Sequence, residues 1–432
     1  MRSFLCMLSA LVLSGPAGLA LWAAPSAPES EALLLVGARV LAADGESFQE
    51  GREVLIEGGR IRSIAAAGRA ELPPGGRRID LSGRWLIPGL IDLHSHLLLH
   101  PYDEAAWDDQ VLKESLALRT VRGAAAAQAT LEAGFTVLRD LGTEGAGFAD
   151  VGLRDAISQG IVPGPRIFAS TRALVATGCY GPSGFDPRFD LPKGAEVADG
   201  RDGVRVAVRR QIAAGADWIK VYADYRRRPV DPSTPTYSLE ELAAIVDEAE
   251  SAGLPVAAHA VTSEAIRRAV LAGVRTIEHG SDASGEVLDL MKQHGVVLCP
   301  TLAASEAMAR YAGWQPGQPE PARIEDSRAM FRRALGAGVL IACGSDAGVF
   351  AHGDNAREIE LMIEYGMTPR EALRSATLVA ARVLGASDRF GRIDAGLLAD
   401  LVVLRGDPFE DVTALRSPVM VIREGQVVAG RP

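Results

Sequence analysis

Two textures of apolar and polar positions alternate along this chain. From Leu33 to Ile87, short apolar runs are separated by Gly-rich turns: Leu34–Leu41, Glu53–Glu57, Arg60–Ile64 and Trp85–Ile87, with Asp44-Gly45 and Gly58-Gly59 as hairpin punctuation. The texture returns near the other end in Asp400–Leu404 and Met420–Val428, where Glu424-Gly425 supplies a turn. Strand-rich ends around a different middle predict one discontinuous β-sandwich module, residues 30–87 with 388–432.

The middle, residues 88–387, repeats strand then helix. Strands are expected at Leu90–His94, Thr136–Asp140, Arg166–Ser170, Trp218–Tyr222, Pro255–His259, Thr276–His279, Val296–Pro300 and Val339–Gly344. Between them lie amphipathic stretches such as Ser115–Ala133, Ser238–Ala252, Ser263–Ala272 and Ser327–Ala337, and Ser238 with Glu241 reads as a capping box. Eight strands alternating with helices is the count of a (β/α)8 TIM barrel, an α/β fold. The Pro-rich loops Pro229–Pro235 and Trp314–Pro321 are placed after barrel strands, where substrate-facing loops belong.

With 48% hydrophobic and 23% charged residues, the 432-residue chain can bury a large core. Its net charge of -10 argues against a nucleic-acid-binding surface, and the short cluster Arg226–Arg228 does not alter that balance. Arg2 followed by the apolar and small residues Phe4–Ala24 reads as a cleaved signal peptide, residues 1–24, interrupted by Gly15, Pro16 and Gly18. Export to a periplasm or beyond is therefore expected, with no stable membrane span after cleavage. Cys6 would leave with the signal; Cys179, Cys299 and Cys343 remain, an odd number without C-x-x-C spacing. A disulfide scaffold is excluded, and a Cys299–Cys343 pair on neighbouring strands is left open.

Lys220 lies inside the apolar run Ala216–Tyr222, where a lysine is rarely tolerated unless its amine has a task. Upstream, His94-Ser95-His96 places two imidazoles on one side of a strand, so both can meet one metal. His259 and His279 end two consecutive strands at the barrel's active face, and Asp346 holds the matching place on the last strand. Each alone has a plainer explanation: a solvated turn, a hydrogen-bonded core histidine, a turn aspartate. The set is far more specific than any member. His100 and His294 receive no function.

Together these residues resemble the ligand set of the binuclear amidohydrolase superfamily: His94-x-His96 on strand one, Lys220 on four, His259 on five, His279 on six and Asp346 on eight. Gly391–Ile393, Gly396, Ala399–Leu404 and Gly406–Pro408 are similar to that superfamily's returning β module. Within it the chain looks most like the prolidase-type Xaa-Pro dipeptidase and imidazolonepropionase-like branch. Val221–Arg226 and Gly178–Pro182 resemble exported amidases that remove a C-terminal amino acid, and ochratoxin-cleaving amidohydrolases are similar.

The resemblance implies a carbamate on Lys220, formed with CO2, bridging two divalent metals, with zinc suiting the ligands. His94, His96 and Asp346 would complete one site, and His259 and His279 the other. A metal-bridging hydroxide would attack an amide carbonyl, with Asp346 passing its proton to the leaving nitrogen. Tyr222, Tyr225, Arg226 and His352 are candidate contacts for a small-molecule or dipeptide substrate, and a homo-oligomer is expected. A lactonase, cyclic-amide hydrolase or phosphotriesterase on the same metal core stays open, as does a catalytically silent binding protein. A mononuclear deaminase usually carries His-x-x-Glu on strand five; here position 262 is Thr, which counts against it.

Overall fold

A computed structural model describes residues 32–431 apart from Pro187, Pro229 and Val230. The expected signal peptide, residues 1–24, lies outside the described residues. The apolar runs of the middle become parallel strands buried on both sides, the pattern required of a barrel sheathed in helices. Seven regular strands run around it: Leu90–Ser95, Phe135–Asp140, Arg166–Ala169, Ile219–Tyr222, Val256–Thr262, Thr276–Asp282 and Val297–Cys299. The third and fourth meet where the Asp217 and Trp218 N–H groups donate to the Ala169 carbonyl.

The eighth expected strand, Val339–Gly344, is not a regular strand. It forms only single bridges, Leu298 with Ile341 and, just beyond it, Ser95 with Ala347. The segment still closes the (β/α)8 barrel. Ala342 N–H donates to the Leu298 carbonyl at 3.0 Å, Leu93 N–H to the Cys343 carbonyl at 2.9 Å and Asp346 N–H to the His94 carbonyl at 2.7 Å. The ladder toward the first strand is interrupted because the Cys343 and Ile91 N–H groups donate instead to the Ser375 and Ala376 carbonyls, and just beyond the segment the Asp92 carboxylate accepts the Ser345 N–H at 3.0 Å. Asp346 then turns into the left-handed region at φ 63°.

Helices cover the barrel close to the expected places, at Leu116–Glu132, Leu239–Ser251 and Ser263–Ala272. The Ser238–Glu241 capping box forms, which is worth about 1 kcal/mol to its helix. The helix expected from Ser327 begins earlier, at Ala322, directly after Pro321. Trp314–Pro321 therefore joins two helices between the seventh barrel strand and the eighth segment.

Alternation along the fourth strand sets the direction of its side chains. Ile219 and Val221 pack outward into the helical layer with Val204, Val208, Leu242 and Ile245. Trp218, Lys220 and Tyr222 therefore share the inward face. Inside the barrel the Arg139 guanidinium lies over the Trp218 ring at 4.4 Å.

The chain ends build two further sheets. One has the strand order Arg60–Ala66, Arg52–Glu57, Leu33–Val36, Arg77–Asp80. The other interleaves both ends: Gln426–Gly430, Met420–Arg423, Leu401–Leu404, Trp85–Pro88, Arg39–Leu41, Phe48–Gln49. Leu35, Ile56 and Leu86 from one end share a core with Leu401, Val403 and Ile422 from the other. Trp85–Pro88 runs through Gly89 directly into the strand that carries His94, so the sandwich anchors the first barrel strand. A Cβ at Gly89 would fall 2.1 Å from Thr136 Oγ1, which is why the crossing tolerates no side chain.

Cys299 and Cys343 sit on adjacent segments as buried free thiols, so the pair left open by the sequence is not formed; Cys179 is also free. Among the described residues, no helix is long and apolar enough to cross a membrane.

Candidate metal centre

The inward-facing side chains at the ends of five barrel segments converge. His94, His279 and Asp346 each offer a donor atom within 4.8 Å of the others. His96 Nε2 lies 3.2 Å from Asp346 Oδ1, and His94 Nε2 lies 3.5 Å from the same oxygen. The His259 ring stands edge-on to His279, with centroids 4.6 Å apart. Lys220 is fully buried, and its Nζ has no hydrogen-bond partner.

Protein groups aim these donors. The Gly142 carbonyl can only accept, so the His96 Nδ1–H donates to it at 2.9 Å and Nε2 is turned toward Asp346. His94 Nδ1 lies 2.8 Å from Glu278 Oε2, which orients its Nε2 in the same way. Arg139 holds the other Glu278 oxygen at 3.0 Å, and Thr276 Oγ1 donates to it as well. His279 Nδ1 pairs with Thr301 Oγ1 at 2.7 Å. Asp224 Oδ1 stands 3.7 Å from His259 Nε2, its Oδ2 accepts from the Thr262 hydroxyl, and Thr262 also caps the following helix.

Burial pushes the His94 and His259 imidazoles well below their ordinary range and His279 to about 4, so these rings are neutral donors. Burial also lowers the Lys220 amine. For His96 burial works the same way, but the Asp346 hydrogen bond and the Glu144 charge outweigh it and raise the ring to about 9. Burial alone would raise Asp346, yet the surrounding imidazoles hold it below the usual carboxylate range. Neutral imidazoles, an ionised carboxylate and an orphaned buried amine form a donor set that suits a divalent cation.

His279 and Asp346 both take left-handed backbone, at φ 71° and φ 63°, which turns their side chains off the strand alternation and into the cluster. Gly348 guards the same corner. At φ 112° its absent Cβ would fall 2.6 Å from the His96 carbonyl oxygen. Gly348→Ala is expected to destabilise the fold by about 1–3 kcal/mol through this strain. It should also displace His96 and lower kcat/KM at least about tenfold. Urea unfolding and steady-state kinetics on the one variant read both effects.

A cavity of about 590 Å³ opens beside the cluster, lined in part by Tyr102, Trp107, Tyr180, Tyr225 and Arg226. An aromatic chain links it to the centre: Trp107 to Tyr180 at 5.0 Å, Tyr180 to Tyr222 at 4.3 Å, and Tyr222 stacked on His259 at 4.5 Å. Of the four candidate substrate contacts, Tyr225 and Arg226 line the cavity and Tyr222 backs it. His352 does not line it; its Nε2 donates to the Leu99 carbonyl at 3.2 Å, and burial lowers it to about 4. His294 is exposed at a helix end, and His100 pairs with Glu104 and Glu114.

Sequence reasoning passed over Glu278, Arg139, Thr301 and Glu144, and took Tyr180 only as part of the Gly178–Pro182 resemblance. Glu278 carried one readable signal: an acid inside an apolar strand, next to a proposed ligand. Glu144 and Tyr180 lie on loops where no periodicity points to a site.

A parallel barrel with a histidine-rich, carboxylate-bearing cluster at the C-terminal ends of its strands is the architecture of a metal-dependent hydrolase. Residues 85–428 match the Amidohydrolase family, and the chain belongs to it. It is 30% identical to ochratoxinase of Aspergillus niger over 430 residues, covering 92% of this chain and 86% of that one. An imidazolonepropionase of Deinococcus radiodurans is 25% identical, with 84% and 88% covered. Among solved structures, a prolidase complexed with N-methylphosphonate-L-proline superposes with a TM-score of 0.82 at 34% identity, covering 93% of this chain and 100% of that one. A Xaa-Pro dipeptidase with bound methionine gives 0.82 at 32% identity, with 92% and 99% covered. The protein is thus an amidohydrolase of the prolidase and ochratoxinase-like branch, a hydrolase acting on C–N bonds.

Proposed function

We propose that the enzyme cleaves the amide bond of dipeptides or N-acyl amino acids and releases a C-terminal amino acid, with two divalent cations and a carbamate on Lys220. The observation that carries this reading is Lys220 itself, a fully buried amine without a hydrogen-bond partner beside His94, His259 and His279. Burial favours the neutral amine, the form that adds to CO2. The N–C bond that forms, with loss of one proton, turns an orphaned donor into an anionic ligand. His94, His96 and Asp346 would hold one cation and His259 and His279 the other, with carbamylated Lys220 between them. The cations, zinc by donor chemistry, supply Lewis acidity and lower the pKa of water.

The chain's own groups do the rest. Asp346, kept ionised by its imidazole neighbours, holds the proton released by the attacking water and returns it to the leaving nitrogen. Tyr222 and Tyr225 wall the apolar part of the substrate, and Arg226 at the cavity edge offers a cation for the free carboxylate. Thr262 beside His259 occupies the place where a deaminase would need its acid, which favours hydrolysis over deamination. Export to a periplasm or beyond and assembly as a homo-oligomer belong to the same reading.

Turnover by metal-analysed protein on dipeptides, N-acyl amino acids, lactones, cyclic amides and phosphotriesters tests it. Free C-terminal amino acid is expected, with close to two divalent ions per chain. Turnover confined to lactones, cyclic amides or phosphotriesters would replace the reading, and ammonia release alone would return the deaminase.

A further inference from the structure

Glu144 is an acid beside the metal centre whose charge the reading above does not use. It is buried at 1% exposure on the loop after the second strand, on left-handed backbone at φ 51°. One oxygen, Oε2, takes both the Trp107 indole N–H, at 2.9 Å, and the Tyr180 hydroxyl. The other, Oε1, has no hydrogen-bond partner and lies 3.8 Å from His96 Nδ1. That nitrogen is already committed to the Gly142 carbonyl. Among the described residues, no Lys or Arg comes within salt-bridge distance of the carboxylate. The nearest guanidinium, Arg119, spends its donors on the carbonyls of Leu98, Thr143 and Glu144 itself. A buried carboxylate with one oxygen anchored twice and the other unmatched is costly to keep, and such groups concentrate where a ligand completes them.

The position narrows what that ligand is. In an α-amino acyl group the nitrogen lies about 2.5 Å from the carbonyl carbon, as covalent geometry dictates. A group that reads this nitrogen must therefore stand beside the metal ligands, as Glu144 does, and not at the outer rim with Arg226 to Arg228. We propose that Glu144 is a specificity-determining residue that binds the free α-ammonium of the substrate, so that unblocked dipeptides are preferred over N-acyl amino acids. Trp107 and Tyr180 fix the carboxylate for this role, and the Tyr180–Tyr222 contact ties it to the aromatic wall. The inference rests on the cluster being the amide-cleaving centre.

The test separates binding from turnover. The probe is a ketomethylene isostere of Ala-Phe, which cannot be hydrolysed, with its amine free or acetylated. It is titrated calorimetrically into metal-loaded wild type, Glu144→Gln and Glu144→Asp, each checked for metal content and thermal unfolding. Wild type should bind the free amine at least tenfold more tightly than the acetylated form. Glu144→Gln should abolish that difference with little change for the acetylated probe, and Glu144→Asp, which keeps the charge, should retain part of it. For Ala-Phe itself, Glu144→Gln should raise KM more than it lowers kcat. Equal binding of both probes by wild type overturns the inference, as does no binding of either, or an equal loss of both in Glu144→Gln. Discrimination without turnover of either Ala-Phe or acetyl-Ala-Phe would instead discard the amide-hydrolase reading and leave the ammonium site standing.

Discussion

Lys220→Ala is expected to fold, to lose bound metal, and to lower kcat/KM by at least about 10³-fold, or roughly 4 kcal/mol of transition-state stabilisation. The prediction follows from what the side chain leaves behind. A buried amine that has no hydrogen-bond partner, and only the Tyr222 ring, 5.5 Å away, as a cation–π contact, gains little in the metal-free protein, and removing it relieves a desolvation cost. Thermal unfolding of the metal-free variant should therefore match or exceed that of metal-free wild type, which excludes misfolding as the cause of inactivity. Metal analysis should show fewer than half the ions of wild type, because the remaining imidazoles lack the anion that holds two cations close together. Lys220→Arg should be equally inactive, since a guanidinium keeps its charge and does not form a carbamate. A fully active Lys220→Ala enzyme would remove the binuclear reading.

Three residues of the candidate centre were readable because they obey strand alternation up to the barrel rim. His94 and His96 are two apart, and Lys220 sits between outward-packing Ile219 and Val221. His279 and Asp346 were readable by position only, as their left-handed backbone breaks the alternation that would have predicted their direction. The eighth strand was misjudged for a related reason. Its apolar run is genuine, but the Ser375 and Ala376 carbonyls take the Cys343 and Ile91 N–H groups from the ladder, and no pattern of hydrophobicity encodes that substitution. Glu144 was illegible because loop positions carry no period, and its importance arises from Trp107 and Tyr180, which the fold brings from distant segments.

Glu278 offers the second large effect, on stability as well as on the site. Its carboxylate bridges Arg139 at 3.0 Å and His94 Nδ1 at 2.8 Å, and both ends of the Arg139–Glu278 pair are fully buried. Glu278→Ala leaves a buried guanidinium without its anion, a loss of about 3–5 kcal/mol in urea unfolding. Glu278→Gln should cost less, because the amide oxygen still accepts from Arg139. Its NH2 group then faces His94 Nδ1, which must become the acceptor, so the proton moves to Nε2 and covers the lone pair aimed at the metal. Metal affinity should consequently fall about 10–100-fold in both variants, despite their different stabilities. Replacing Arg139 and Glu278 together by Met removes the unpaired charge and should recover most of the lost stability without recovering metal binding. If the double variant regains both, Glu278 serves only to neutralise Arg139, and His94 is aimed by its strand alone.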